Sequence, residues 1–309
     1  MHLLIWATFP SPQRKAAFRR ELNSTLSPPQ VVIDAINTLP ATSAPFALTL
    51  AGLAAYTAHH ASTYDPTTTR NPHMYRSNAS TIDEAITRTF GAYATVNALV
   101  YCRLHNKTFL SPTDLSASFI HNLLRSMSFV PAENEGERGW RGAPDPHTVA
   151  TLEKLWILYA DHEMTNSTAS FLHVASTLAD PLSCLSAYVP SGNGPLHAGA
   201  VDLAYKHFEK LSCKENVAPM IEDVKAKKYR LFGYGHRIYK TVDPRTRFIR
   251  EMLDQLAEEG GTGKREGKES RLFEVAMEID RVASSDEYFV RRNLKANADL
   301  YGCFVYTAL

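Results

Sequence analysis

The segment from Leu231 to Arg245 holds the side chains best suited to chemistry. It places His236 on a turn framed by Gly233 and Gly235, and it ends in an Asp-Pro-Arg sequence at Arg245. Glycine lets backbone approach a ligand because it has no Cβ. Histidine exchanges a proton near neutral pH, and the planar guanidinium of arginine matches a carboxylate. The segment therefore predicts a site for a small, multiply anionic substrate that undergoes acid–base chemistry.

Two further histidines lie in distinctive contexts. His162 follows a long amphipathic stretch in the sequence Ala160-Asp-His-Glu, and His197 follows the glycine-proline turn Gly192-Asn-Gly-Pro-Leu. A single histidine is more often a structural residue than a functional one. His197 and His236, however, each follow a glycine-bearing turn that we expect at the N-terminus of a helix, where the dipole and the free N–H groups favour anions.

Two alternative chemistries are weakly supported. His162-Glu163 begins like a zinc-binding His-Glu-x-x-His motif, but Asn166 stands where the second histidine is required, so no metal is expected. Gly263-Lys264 resembles part of a phosphate loop, but the upstream glycine spacing differs and Arg265 replaces the required serine or threonine. We interpret the surrounding residues, 258–270, as a solvated loop, and likewise residues 131–144.

The composition is that of an ordinary globular enzyme. The 309 residues are 44% hydrophobic and 21% charged, and 33 basic residues against 32 acidic ones give a net charge of +1. No general basic field indicates binding to nucleic acid or to a membrane. The four cysteines are widely spaced, which favours free thiols in a reducing compartment. Without a basic leader or a Ser-Lys-Leu ending, we expect a cytoplasmic protein.

The periodic segments that must position these residues are mostly helical. Helix starts are predicted at Ser11-Pro12, at Ser80, at Ser111-Pro112 and at Asp145-Pro146, each with a capping residue or a first-turn proline. After Pro29, apolar residues at helical spacing predict one buried face, formed by Val32, Ile36 and Leu39. Since strand-like alternation is scarce, the predicted fold class is mainly α.

Four segments together resemble the citrate synthase family. They are Asp161-His-Glu, Gly194-Pro-Leu-His-Ala-Gly199, the stretch from Gly233 to Arg245, and Asn297-Ala-Asp299, and they occur in the family's order and approximate spacing. The resemblance implies a two-domain helical fold, with residues 1–200 forming a large domain that residues 297–309 complete, and residues 201–296 forming a small domain. It also implies a homodimer whose domains close over the substrates.

The reaction that the resemblance implies is a Claisen-type condensation of an acyl-CoA with oxaloacetate, followed by thioester hydrolysis. No cofactor is needed, because acyl-CoA enters as a substrate. By position, Asp299 is expected to remove the α-proton of the acyl thioester, His197 to hydrogen-bond the thioester oxygen, and His236 to protonate the ketone oxygen. His162 and Arg245 are expected to hold the oxaloacetate carboxylates.

The resemblance also assigns residues to CoA. The backbone at Gly233 and Gly235 is expected to approach CoA, and Arg237 and Lys240 are expected to contact its phosphates. Exposed cations on a turn are an equally good interpretation of the last two residues.

The sequence departs from the family pattern at two kinds of position. His197 is followed by Ala198 and, later, Val201, where the family usually has glycine and asparagine. This leaves the acyl group open among citrate, 2-methylcitrate and alkylcitrate synthesis, and we favour the alkylcitrate-forming relatives of fungal secondary metabolism. The chain also begins and ends inside family segments, so we expect either a shortened family member or an incomplete gene model, and a chain that is weakly active or inactive. A non-catalytic binding or dimerisation protein, and an unrelated helical hydrolase, are the alternatives.

Overall fold

The computed structural model describes residues 1–76, 78–129, 144–161, 163–258 and 267–309. The described residues form helices and connecting turns, with one isolated antiparallel bridge and no strand, so the predicted fold class is confirmed. The α-helices in the described part of the chain are α1 (His2–Trp6), α2 (Pro12–Ser24), α3 (Gln30–Thr38), α4 (Pro45–Tyr64), α5 (Ala79–Leu104), α6 (Phe119–Ser126), α7 (Pro146–Tyr159), α8 (Asn166–Ala175), α9 (Pro181–Gly192), α10 (Gly199–Leu211), α11 (Val217–Lys225), α12 (Arg245–Glu258), α13 (Gly267–Ser285), α14 (Glu287–Arg291) and α15 (Ala298–Ala308).

Helix starts follow the capping signals in two of the four predicted places. Ser11 accepts a hydrogen bond from the N–H of Arg14 at the start of α2, and Asp145 accepts one from the N–H of Thr148 at the start of α7. The predicted start at Ser80 is two residues late, because Asn78 caps α5 instead.

The predicted start at Ser111 is wrong. The side chain of Asp114 accepts hydrogen bonds from both the backbone and the hydroxyl of Ser116, which holds this stretch in a turn. The helix begins only at Phe119, after the Ser118 cap. Of the predicted loops, residues 131–143 and 259–266 lie outside the described residues, and Gly267–Ser270 belong to α13 rather than to a loop.

The chain divides into two compact units. Among the described residues, those up to Asn193 form the first unit and those from Gly194 to Leu309 form the second. The predicted domain division, with residues 297–309 completing a large domain, stays a prediction. Among the described residues, each helix is either too short or too polar to span a bilayer.

In the first unit, α4 packs against α3, α5 and α9. The predicted face of α3 is confirmed, since Val32 and Ile36 are buried and Leu39 is partly buried against the same core. In the second unit, α15 packs against α10, α12 and α13, with residues 300–305 buried. Phe304 stacks on Phe208 with 5.7 Å between ring centroids. Each large side chain buried in this way contributes roughly 1.5–3 kcal/mol, so α15 is firmly placed.

Candidate active site

The start of α15 and the segment that carries His236 are joined by backbone hydrogen bonds. The N–H of Gly235 donates to the carbonyl of Lys295 at 2.6 Å, and the N–H of Asn297 donates to the carbonyl of Gly233 at 3.0 Å. The amide side chain of Asn297 adds a third bond, to the carbonyl of Gly235 at 2.8 Å. These bonds surround the bridge between Tyr234 and Ala296. Two segments that lie some sixty residues apart in sequence, one ending at His236 and one leading to Asp299, are thus fixed side by side.

Both glycines of the turn are required by the backbone itself. Gly233 and Gly235 have φ values of +82° and +85°, a region that other residues adopt only with strain. A Cβ on Gly233 would lie 2.9 Å from the Cα of Leu300 in α15, and one on Gly235 would lie 2.9 Å from the side chain of Leu294. The close approach that these glycines allow in the structure is therefore to the chain's own residues. Their predicted contact with CoA stays a prediction.

The ring of His236 has a defined tautomer. Its Nδ1 accepts hydrogen bonds from the backbone N–H groups of Ile238, at 3.0 Å, and Tyr239, at 3.2 Å. A nitrogen that accepts carries no proton, so in the neutral ring the proton is on Nε2. His236 does not stand at a helix N-terminus as predicted, because the next helix begins at Arg245. The orientation of its ring is fixed by this local turn instead.

Asp299 lies in the first turn of α15 and is partly buried. The backbone N–H of Asp299 donates to the Asn297 side chain at 2.9 Å, which caps the helix. Burial raises the pKa of Asp299 to about 6; the charge of Arg245 opposes this rise and the charge of Asp243 adds to it. A carboxyl with such a pKa is an effective base near neutral pH.

Arg245 is buried and paired within the chain. Its Nε and Nη2 donate to the two oxygens of Asp243, with Nη2 and Oδ2 2.7 Å apart. Hydrogen bonds from Arg245 hold the pKa of Asp243 low despite its burial. The predicted binding of an oxaloacetate carboxylate by Arg245 stays a prediction, and in this structure Asp243 engages part of the guanidinium.

The remaining predicted residues are placed as follows. Arg237 and Lys240 are exposed, and the Lys240 ammonium donates to the backbone carbonyl of Arg237 at 3.0 Å. His197 is half-buried in the turn before α10, and its backbone N–H donates to the carbonyl of Gly194. This residue does precede a helix N-terminus, as predicted. His162 lies outside the described residues.

Three residues of the site were not singled out for it from the sequence. Asn297 joins the two segments and caps α15, which its place in Asn-x-Asp could have indicated. Asp243 pairs with Arg245, and the intervening proline turn is a local signal for that. Asp280, on α13, accepts hydrogen bonds from Tyr234 and Tyr301. No local pattern in the sequence marks Asp280.

The whole chain is similar to known proteins. The family model "Citrate synthase, C-terminal domain" matches residues 1–309. A citrate synthase-like protein of Cochliobolus lunatus is 39% identical over 313 residues, which cover 100% of this chain and 68% of the relative. An alkylcitrate synthase of Talaromyces stipitatus is 34% identical, covering 99% of this chain and 65% of the relative.

The fold also matches a solved structure. The citrate synthase of Thermoplasma acidophilum, solved with carboxymethyl coenzyme A and oxaloacetate, superposes with a TM-score of 0.83 at 23% identity, covering 99% of this chain and 72% of that chain. The chain belongs to the citrate synthase family. It spans 62–68% of the length of the three curated relatives from Cochliobolus, Phoma and Aspergillus.

Gly233→Ala is expected to destabilise the protein. The added methyl meets the backbone of Leu300 at 2.9 Å, at a φ that alanine resists, so the free energy of unfolding should fall by about 2–4 kcal/mol. Gly192→Ala is the matched control, because the nearest atom to its Cβ is 3.9 Å away, and its effect should stay below about 1 kcal/mol. Urea denaturation of both variants measures the difference. Equal effects would show that Gly233 is not constrained by α15.

The raised pKa of Asp299 predicts a pH-dependent stability. Ionising Asp299 costs more in the folded than in the unfolded chain, so its contribution is fully present below pH about 4 and is lost as the pH rises through about 6. Asp299→Asn removes this cost. Relative to the wild type, the variant should gain about 2 kcal/mol of unfolding free energy between pH 4 and pH 8.

The measurement is urea denaturation at several pH values. Asp254→Asn, at an exposed position on α12, serves as the control and should show a change of no more than a few tenths of a kcal/mol. A stability difference between Asp299→Asn and the wild type that stays constant from pH 4 to pH 8 would contradict the assignment of a buried, ionisable Asp299.

Proposed function

We propose that the chain carries the catalytic centre of an enzyme that condenses an acyl-CoA with oxaloacetate and hydrolyses the resulting thioester. The observation that carries the proposal is the pairing of two segments that present a base and an acid. Asp299, with a pKa of about 6, can accept a proton, and His236, with its proton on Nε2, can donate one. Family membership supports the reaction class.

The proposed first step makes a carbon nucleophile. The Asp299 carboxylate takes a proton from the α-carbon of the acyl thioester, and His197 donates a hydrogen bond to the thioester oxygen as the enol forms. A thioester α-proton is a weak acid, so a positioned base and a donor aimed at the developing oxyanion are both needed.

In the second step the α-carbon forms a bond to the ketone carbon of oxaloacetate. The Nε2–H of His236 supplies the proton that the ketone oxygen needs as it becomes an alcohol. Water then cleaves the carbon–sulfur bond, giving a tricarboxylate and free CoA thiol. Arg245 and His162 are the proposed anchors for the oxaloacetate carboxylates, since a dianionic acceptor requires cationic or hydrogen-bonding partners.

The CoA contacts and the assembly are also part of the proposal. The backbone at Gly233 and Gly235 would lie along CoA, and the exposed Arg237 and Lys240 would contact its phosphates. The active protein would be a homodimer that needs no cofactor.

For the acyl group we propose a chain longer than acetyl, which would make the product an alkylcitrate. Two relatives that are 34% identical to this chain are alkylcitrate synthases. This chain carries Ala198 and Val201 where the common family pattern has glycine and asparagine. Ala198 directly follows the proposed thioester-binding His197, and Val201 lies four residues after it, so both are placed to affect which acyl group is accepted.

Turnover is tested by release of free thiol from acetyl-, propionyl-, hexanoyl- and decanoyl-CoA in the presence of oxaloacetate. Thiol release that requires oxaloacetate is expected, with the highest kcat/KM on a longer acyl chain. Asp299→Asn should lower kcat by about 10³-fold while oxaloacetate binding, measured by calorimetry, survives. Asp254→Asn should retain the wild-type rate within about twofold. The absence of thiol release with all four substrates would overturn the proposal.

The pH dependence of turnover should report the base. Since only the ionised carboxylate can accept the α-proton, kcat/KM for acyl-CoA should fall below pH about 6, by about tenfold per pH unit. Initial rates between pH 4.5 and pH 8 measure this limb. An acid limb near pH 4 instead would mean that the base has the ordinary pKa of an aspartate and is not the buried Asp299.

A further inference from the structure

One carboxylate outside the proposed reaction contacts both halves of the candidate site. Asp280 lies on α13, and its two oxygens accept hydrogen bonds from different tyrosines. The hydroxyl of Tyr234 donates to Oδ1 at 3.0 Å, and the hydroxyl of Tyr301 donates to Oδ2 at 2.8 Å. Asp280 therefore connects three segments that are far apart in sequence.

The two tyrosines lie at equal distances in sequence from the proposed catalytic residues His236 and Asp299. Tyr234 precedes His236 by two residues, and Tyr301 follows Asp299 by two residues. Both rings are buried, with Tyr301 fully inaccessible and Tyr234 8% exposed. Burial, and then the nearby charge of Asp280, raise the pKa of each phenol, so both stay protonated and donate. The Tyr234 hydroxyl also lies 3.4 Å from the backbone carbonyl of Asp280, a longer contact than its 3.0 Å bond to the carboxylate.

The bond to Tyr301 acts with the buried packing of residues 300–305 to hold the rotation of α15 about its own axis. Successive helical residues are about 100° apart, so positions 299 and 301 point in nearly opposite directions, about 200° apart. Holding Tyr301 against α13 therefore turns Asp299 away from α13. The backbone bridge between residues 234 and 296 joins the ends of the segments but does not by itself fix this rotation.

We propose that Asp280 is a positioning residue for the condensation. Through Tyr234 and Tyr301 its carboxylate holds the histidine segment and the start of α15 in a single relative placement, so that the acid and the base face the same substrates. The inference rests on the proposed function, because the placement matters only if His236 and Asp299 act in one reaction. Asp280 touches no substrate in this scheme.

A double-mutant cycle tests the bridge. Tyr234→Phe and Tyr301→Phe each remove one hydroxyl and keep the buried ring. If the two bonds form one connection, breaking either breaks it. Each single variant should then lower kcat per folded molecule about fivefold, and the double variant should be no worse than about tenfold. KM should stay within about twofold, since positioning acts on the reacting groups and not on uniform binding.

Two outcomes would overturn the proposal. Independent effects would multiply, giving the double variant a loss of about 25-fold, and a purely structural role would lower the melting temperature with kcat per folded molecule unchanged. Asp280→Leu should resemble the double variant, because a leucine side chain accepts a hydrogen bond from neither phenol. Tyr288→Phe is the control, because the Tyr288 hydroxyl forms no hydrogen bond with the described residues, and its kcat should not change.

A second readout does not depend on turnover. The pKa of Asp299, obtained from the pH dependence of stability with and without Asp299→Asn, should move from about 6 toward its ordinary value in the Tyr301→Phe background, as α15 rotates and exposes the carboxyl. If the wild type releases no thiol, the proposed function fails and this readout alone decides the positioning. An unchanged pKa in that background would then reject it.

Discussion

The arrangement of the second unit depends on the buried carboxylate of Asp243. This side chain is inaccessible to solvent, and it accepts hydrogen bonds from the backbone and guanidinium of Arg245 and from the backbone N–H of Ala298. The Asp243 carboxylate thus links the start of α12 to the start of α15. Burying a charge is costly unless it is paired and fully hydrogen-bonded, and here both conditions are met within one small region. Removing the carboxylate would take an ion-pair partner from the buried Arg245.

This ion pair also shapes the electrostatics at Asp299. Arg245 lowers the pKa of Asp299 and Asp243 raises it, so the two members of the pair act on that carboxyl in opposite directions. Desolvation is then the dominant influence, and it sets the pKa near 6. Without the Asp243 charge, the pKa of Asp299 would be lower and its carboxylate a weaker base. Asp243 therefore contributes to the proposed chemistry without touching the reacting atoms.

The helical class, several helix ends and the main motifs could be predicted from the sequence because they depend on neighbouring residues. Ser11 and Asp145 cap helices through bonds that span three positions, and such short patterns are visible in one dimension. The helix start predicted at Ser111 is wrong because another short-range interaction, the turn made by Asp114 and Ser116, forms there instead of the cap. Local signals therefore succeed only where no competing local bond exists.

The internal geometry of the site could not be predicted in this way. The proton position on His236 depends on the backbone angles of the next three residues, which residue types do not specify. Asp280 lies in the middle of an ordinary helix, and its two partners are 46 and 21 residues away. Both the glycine turn and Asp280 derive their importance from packing against α15. Long-range pairing of this kind is set by the folded chain as a whole.

The two backbone hydrogen bonds to Nδ1 of His236 also limit how this ring could transfer protons. Nδ1 accepts hydrogen bonds from Ile238 and Tyr239, so Nε2 is the ring atom that would exchange protons in the proposed reaction. A proton that Nε2 gives to a bound molecule would not be replaced by way of Nδ1, as it is in a relay that uses both ring nitrogens. The ring must recover its proton on the side from which it was lost. In the proposed cycle, Nε2 of His236 would therefore regain its proton only after the molecule bound against it has left.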